Sequence, residues 1–439
     1  MQEILIAEKS SKKNNEWGTF KDSLKAPVHR WFTYPAGFSY KAVEHSILDA
    51  NLKKGTDTIF DPFMGSGTTN IASKCLGFNS VGIEAHPFVF SITKSKMNWN
   101  IKEKNVLESI EEINKSISKT KRPKNLKSFL KKQFPELILK CFLQQTLFEL
   151  LIIRNSIAKL KQAQGVKDFL NVALICVLRD VSTAATGWPY IAPKKVKITS
   201  MSKKGADTYF NRVLRMHKDL QIIKKSCSNE KTKHKIILGD SRNSKQIKTS
   251  SIDHIFTSPP YLNNFDYADR TRLEMYFMGF AKNWGDISKK IRTQLITSAT
   301  TQISRTDTKY KFHKDFINDC PQAYEFLSNA VVELGAMRLK KGGKKSYDLM
   351  TVGYFNDLYA TLKENFRVLK PNTIARYILG DSAPYGIHIP TDILIGQIGK
   401  CVGFKEFEIE ILRLRGGKWA HNPQRHSVSL RESIVTLYK

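Results

Sequence analysis

The chain lacks the features that would assign it to several common classes at once. No run of about 20 apolar residues, the length a membrane-spanning helix needs, occurs anywhere in its 439 residues. The most apolar helical stretch, around 137–153, is broken by Lys140, Gln144, Gln145 and Glu149. The six cysteines (Cys75, Cys141, Cys176, Cys227, Cys320 and Cys401) are scattered without a CxxC pair. That pattern argues against a zinc site and a disulfide framework, and it suits a reducing cytoplasm. Met1 to Asn15 holds no long apolar segment ahead of its lysines, so no secretory signal is expected. Acidic residues are scarce: 40 Asp and Glu face 71 Lys and Arg, a formal net charge of +31.

Core formers are not lacking. Hydrophobic residues make up 41% and aromatics 10% of the chain, which excludes global disorder and supplies a buried core. The length fits two domains, or one with a large insertion. A skewed genome could account for lysine richness alone. Yet the basic residues fall in clusters while acids are depleted, and a chain so charged repels itself unless a polyanion is near. Nucleic acid is the expected partner, with charge silent on RNA versus DNA.

The order of elements reads as α/β. Residues 1–27 are polar and lysine-rich, an arm by composition. A turn at Tyr34-Pro35-Ala36-Gly37 leads to a helix over Lys41–Asn51. An apolar strand, Thr56–Phe60, ends in Asp61. A Gly-rich turn, a helix over Thr68–Leu76 stopped by Gly77, and a strand over Ser80–Ile83 ending at Glu84 follow directly. This β-turn-α-β unit predicts a doubly wound parallel sheet. Between 100 and 230, apolar residues recur at helical spacing over Val106–Ile117, Leu137–Lys159 and Asp168–Val181, with a basic connector at Lys119–Lys132. Strands return at Ile236–Leu238 and Ile252–Phe256. A helix starting at Asp266 or Arg270, a helix over Phe355–Val368, a strand over Thr373–Leu379 and a helix over Thr391–Val402 come next. Phe407–Leu414 and Ser433–Leu437 read as a closing antiparallel pair.

Two strand ends carry chemistry. In Asp61-Pro62-Phe63-Met64-Gly65-Ser66-Gly67-Thr68-Thr69, glycines let the backbone approach a ligand, and the helix start offers unpaired N–H groups. No Gly-Lys-Ser/Thr follows, so this is not a phosphate-binding P-loop, and it is not the dinucleotide fingerprint. Taken alone it could be an ordinary tight turn. Glu84, ending the next strand, can accept from both hydroxyls of a ribose, and together they favour an adenosine-containing ligand. The second end is Thr257-Ser258-Pro259-Pro260-Tyr261. Consecutive prolines donate no backbone hydrogen bond and fix their own φ. Ser258 Oγ and the Pro259 carbonyl can then accept from one amino group while Tyr261 offers a face for a base.

Jointly the two motifs resemble the S-adenosylmethionine-dependent DNA amino-methyltransferases, which modify N4 of cytosine or N6 of adenine. The resemblance covers most of 28–99 and 235–439. It implies a Rossmann-like methyltransferase sheet with an antiparallel last strand, interrupted by a mostly helical insertion. It divides the chain into a basic arm (1–27), a cofactor-binding half (28–99), the insertion as candidate target-recognition region (100–230) and a catalytic half (231–439). It implies that Asp61, Pro62, Phe63, Gly65, Ser66, Gly67 and Thr68 hold the methionine part of S-adenosylmethionine, Glu84 its ribose, and that Asp240 lies beside the adenine. Phe38 and Ser39 fall in a further cofactor segment. Ser258, Pro259, Pro260 and Tyr261 are the implied catalytic residues. Leu430–Val435 reads like the last strand of such domains.

Serine at the head of the tetrapeptide is similar to the cytosine-N4 subgroup; adenine-N6 enzymes more typically carry Asp or Asn, and adenine-N6 stays the alternative. The cofactor motif precedes the catalytic one, a permuted order. The connection after Phe407–Leu414, with Arg413, Arg415, Lys418, Trp419 and Arg425, is a candidate DNA contact, and 283–350 a further recognition candidate. A base inside a duplex must be flipped to reach such a pocket. Carbon-5 chemistry needs Pro-Cys, whereas the one adjacent pair here is Cys320-Pro321. His45, His313 and His388 read as surface or packing residues, and Lys340, Lys341, Lys344 and Lys345 as a solvated charge run, with phosphate contact the sharper alternative; Trp188 and Tyr190 either pack the insertion or touch DNA. No metal site is expected. A cognate restriction endonuclease is the partner expected beside DNA. RNA methylation and a non-catalytic binding subunit are the readings from other classes.

Overall fold

The computed structural model describes residues 6–7, 16–33, 37–186, 191–228, 230–263, 265–307, 309–415 and 428–439. The turn at Tyr34-Pro35-Ala36, the aromatic pair Trp188 and Tyr190, and Lys418, Trp419 and Arg425 lie outside them.

Elements are numbered along the chain. β1 (Ile6–Ala7) is followed by α1 (Tyr40–Asp49), β2 (Thr58–Asp61), α2 (Thr68–Leu76), β3 (Asn79–Glu84) and α3 (Pro87–Met97). The insertion holds α4 (Glu103–Lys119), α5 (Leu126–Gln133), α6 (Glu136–Cys141), α7 (Gln144–Lys159) and α8 (Gln164–Val181). It continues through the hairpin β4 (Ala184–Ala185) and β5 (Ala192–Val196) to α9 (Gly205–Ser226). Then come β6 (His234–Leu238), β7 (Ile252–Thr257), α10 (Tyr267–Arg270), α11 (Arg272–Met278), α12 (Trp284–Ile287), α13 (Lys314–Asp319), α14 (Pro321–Lys340) and α15 (Tyr347–Val368). β8 (Leu369–Gly380), α16 (Thr391–Cys401), β9 (Glu406–Arg415) and β10 (Leu430–Tyr438) close the chain.

Among the described residues, eight strands form one sheet in the order β1-β9-β10-β8-β7-β2-β3-β6. β6, β3, β2, β7 and β8 pair in parallel, and β10 runs antiparallel between β8 and β9. This is the doubly wound sheet with an antiparallel last strand that the sequence predicts. Period-2 alternation fixes what each face buries. Phe60, Ile255, Leu379 and Val435 point to the face covered by α14, α15 and α16. Their neighbours Ile59, Phe256, Ile378 and Ile434 point to the opposite face, with Val43 and Ile47 of α1 and Ala72 of α2. No helix among the described residues is long and apolar enough to cross a membrane.

The insertion does not carry a core of its own. Its buried residues, among them Leu150, Phe169, Leu174 and Tyr209, form one cluster with Val28, Trp31, Phe88 and Ile92 of the cofactor half and with Leu273 and Phe277 of α11. Polar ties add to the seam. The buried Asp219 of α9 accepts from Arg30 and from Trp31 Nε1, and Arg179 of α8 pairs with the buried Glu274 of α11.

Three features depart from the sequence reading. Residues 16–27 are not a solvated arm: Trp17, Phe20 and Ala26 are buried, and Trp17 O accepts from Ser39 N at 2.9 Å. Cys75 and Cys227 are disulfide-bonded, joining the end of α2 to the residue after α9, so the expectation of no disulfide is corrected. The basic connector at Lys119–Lys132 contains α5, which buries Leu126 and Leu130 beneath its lysines.

Phe169 is fully buried and meets Trp31 edge-on at 5.4 Å, at the seam between insertion and sheet domain. Phe169→Ala is expected to lower unfolding free energy by about 3–5 kcal/mol, measured by urea denaturation.

Candidate active site

β2 delivers Asp61 to the carboxyl edge of the sheet with no exposed surface. Its Oδ1 accepts from Phe63 N at 3.0 Å and from Thr257 Oγ1 at 2.6 Å. Its Oδ2 is buried and accepts nothing; the nearby Thr69 hydroxyl donates to Phe256 O instead. The turn that follows requires glycine. Gly65 and Gly67 sit at φ 52° and 83°, a region L-residues avoid. A Cβ on Gly67 would lie 2.6 Å from Thr93 Cγ2. α3 supports the turn from below: Thr93 Oγ1 donates to Gly65 O and the buried Lys96 Nζ to Ser66 O, both at 2.7 Å. Burial pushes the Lys96 amine down to about 7. Gly67 caps α2 without a side-chain hydrogen bond, which leaves the first-turn N–H groups open.

Glu84 joins the two halves of this motif. Its Oε2 accepts from Gly65 N and its Oε1 from His86 N, each at 2.8 Å. Each oxygen keeps a lone pair for a ligand hydroxyl. Burial raises its pKa to about 7, with the Asp61 charge adding to the shift. Burial likewise raises Asp61 to about 6, against the pull of its hydrogen-bond donors.

β7 delivers the second motif beside the first. A cavity of about 240 Å³ is lined by Phe38, Pro62, Phe63, Gly65, Ser66, Thr68, Glu84 and Asp240 from the expected cofactor residues. Ser258, Pro259, Pro260 and Tyr261 line it too, as do Arg413 and Arg415. Three of the expected residues stand elsewhere. Asp61 and Gly67 lie behind the cavity wall and shape it, and Ser39 caps α1, its Oγ accepting from Lys41 N and donating to Asp22. Asp240 reaches the cavity with its carboxylate clamped by Arg242, whose other arm holds Asp357 at 2.8 Å.

Several lining residues carry no signal in the sequence reading: Gly18, Phe265, Tyr267, Gln294 and Glu432. Phe265 and Tyr267 follow Tyr261 closely enough that their aromatic character was available as a cue. In the sequence Glu432 shows only as part of a strand. It accepts from Tyr261 Oη at 2.9 Å and from Arg413 Nε at 2.7 Å.

The arrangement can bind an adenosine-bearing cation against buried carboxylates and set a planar amine against Ser258 and Pro259. Asp61 Oδ2, an engaged residue's free acceptor, and the glycine cradle at Gly65 and Gly67 fit such a ligand. Residues 2–95 match the family model described as DNA methylase. The chain is 27% identical to the Type II methyltransferase M.BsoBI of Geobacillus stearothermophilus, over 98% of this chain and 89% of that protein. It is 24% identical to the Type II methyltransferase M.AvaI of a Nostoc strain, over 96% and 88%, and to M.MvaI of Kocuria varians, over 93% and 88%.

Gly67→Ala is expected to cost about 1–3 kcal/mol of stability. Combining it with Thr93→Ser removes the obstructing methyl and keeps the hydroxyl that holds Gly65 O. Denaturation should then show only the clash recovered, with about 1–2 kcal/mol of backbone strain remaining.

Proposed function

Because the chain belongs to the N4/N6 amino-methyltransferase family of DNA methylases, site-specific enzymes that take their methyl group from S-adenosylmethionine, we propose that it methylates N4 of a flipped cytosine. The observation that carries this reading is the serine-headed tetrapeptide, Ser258-Pro259-Pro260-Tyr261, on the same cavity as the Gly65 turn and Glu84.

S-adenosylmethionine supplies an electrophilic methyl group on a positively charged sulfur. The open N–H groups of α2 suit its carboxylate end, with the Asp61 charge behind the cavity wall favouring its ammonium through the field alone; Glu84 suits its ribose hydroxyls, and Phe38, Phe63 and Asp240 the walls around it. The exocyclic amine of cytosine is a poor nucleophile because its lone pair is delocalised into the ring. Ser258 Oγ and the Pro259 carbonyl accept from that amine, orient it and favour a pyramidal nitrogen. Tyr261 stacks on the flipped base. Positioning and fixed dipoles carry most of the catalysis, and no strong base is required. Flipping costs a few kcal/mol, offset by phosphate contacts from a chain of net charge +31. Arg413 and Arg415, which line the cavity, are assigned to that contact surface, and the 100–230 block is assigned target readout. A cognate endonuclease and a cytoplasmic location complete the reading as a restriction–modification enzyme.

Single-molecule sequencing of DNA from a host expressing the chain, beside one expressing Ser258→Ala, tests it. Methylcytosine at one recurrent motif, lost with Ser258→Ala, is expected. An adenine signal would overturn the choice of base, and an unmodified genome the reading itself.

The pH dependence of cofactor binding follows from Glu84. Its two oxygens can both accept from the ribose hydroxyls only when the carboxylate is ionised, and it takes up a proton below about 7. Affinity by calorimetry should therefore weaken as pH falls through that value, by up to about tenfold per unit, and more steeply below about 6, where Asp61 also protonates. Glu84→Gln should bind more weakly at pH 8 and show a flat profile between 8 and 6.5.

A further inference from the structure

Tyr261 can orient a base only if its own ring is held, and three local features converge to hold it. The first is a register shift between β9 and β10 at Glu432/Ser433: Glu432 pairs with Arg413, whereas Ser433 pairs with Ile411. Such a bulge re-aims side chains, and here both Glu432 and Arg413 reach the cavity wall. The second is Gly380, opposite Glu432 on β8. A Cβ there would lie 3.2 Å from the Tyr261 ring and would collide with the Arg415 guanidinium. The missing side chain opens the space in which Tyr261 and Arg415 sit, the guanidinium 5.3 Å from the ring centre. The third is Gly18, whose backbone closes over the Glu432 carboxylate so tightly that any Cβ would overlap it.

Inside this enclosure the Glu432 side chain is 3% exposed. One oxygen accepts from the Tyr261 hydroxyl and the other from Arg413. Burial and the Glu432 charge hold the phenol well above its ordinary pKa, so it remains a donor at working pH.

We infer that Glu432 is a positioning residue: it tethers the hydroxyl of Tyr261, fixes the ring against which the target base stacks, and is itself fixed by Arg413 and by the closure at Gly18. The inference rests on the reading of Tyr261 as the stacking platform. It does not make Glu432 a catalytic residue, because the carboxylate touches the tyrosine and not the base.

The test has two arms. In the free protein, tyrosine labelled with carbon-13 at Cζ gives a signal assigned by its loss in Tyr261→Phe. Glu432→Ala should shift and narrow it, and Glu432→Gln, which keeps an acceptor, should restore most of the wild-type position. In turnover on DNA, Glu432→Ala should lower kcat by about 100-fold, with cofactor affinity by calorimetry unchanged. Tyr261→Phe removes the same bond from the other side with little change in packing, so it carries the test even where Glu432→Ala folds poorly. The double variant should be no slower than the slower single one, to within about twofold. An unmoved Cζ signal, an unchanged kcat, or effects that multiply in the double variant would each overturn the tether. If the wild-type chain transfers no methyl group to DNA, the functional reading falls, while the labelled tyrosine still decides whether Glu432 holds it.

Discussion

A hydrogen bond of 2.6 Å between the Thr257 hydroxyl and the Asp61 carboxylate, both fully buried, is the constraint on which the site depends. It joins the carboxyl ends of neighbouring parallel strands, and so brings together two motifs 196 residues apart in sequence. Parallel pairing of β2 with β7 sets the two ends level. The bond then fixes one Asp61 oxygen and leaves the other without a hydrogen-bond partner. Removing the hydroxyl would leave Oδ1 held by Phe63 N alone, and a buried carboxylate stripped of one of its two donors loses more than the mean worth of one bond.

The electrostatics of the molecule run in two opposite senses. The chain carries 31 more positive than negative formal charges, yet its cavity is organised around Asp61, Glu84, Asp240 and Glu432. Asp240 and Glu432 are neutralised by Arg242 and Arg413. Asp61 and Glu84 have no such partner among the described residues, and burial raises both. Two unneutralised buried carboxylates favour a cationic ligand, whose arrival would lower their pKa values. An excess of positive charge elsewhere on the chain favours a polyanion. Acidic pocket and basic chain thus match a cationic methyl donor and a polyanion separately.

How far the sequence could be read followed from the range over which each determinant acts. The Gly-rich turn, Glu84 and the tetrapeptide are local patterns at strand ends, and one sequence displays them whole. α7 and α8 announced themselves through apolar periodicity. α9 carries the same period at Tyr209, Val213, Met216, Leu220 and Ile223, but Lys- and Arg-rich flanks dilute it, and it went unread. α14 shows the same dilution. The Tyr261–Glu432 bond and the Cys75–Cys227 bond span 171 and 152 residues. Nothing in the composition near either partner names the other, so tertiary pairing of this kind had no local trace. Ser39 illustrates the converse: a serine before a helix is an N-cap by chemistry, and its hydroxyl is engaged with Lys41 N and Asp22 rather than lining the cavity.

The position of the insertion explains why so large a block leaves the sheet intact. It lies in the crossover between β3 and β6, and these strands still pair from Ser80 to Glu84. β6 is the edge of the sheet, so no inner ladder has to close around the added residues. Lengthening a connection costs chain entropy only logarithmically, and the added helices bury Phe169, Leu174 and Tyr209 against α3 and Trp31 in compensation. α3 also carries Thr93 and Lys96, which hold the Gly-rich turn. A block that packs on the outer side of α3 therefore touches the same helix that shapes the cofactor turn on its inner side.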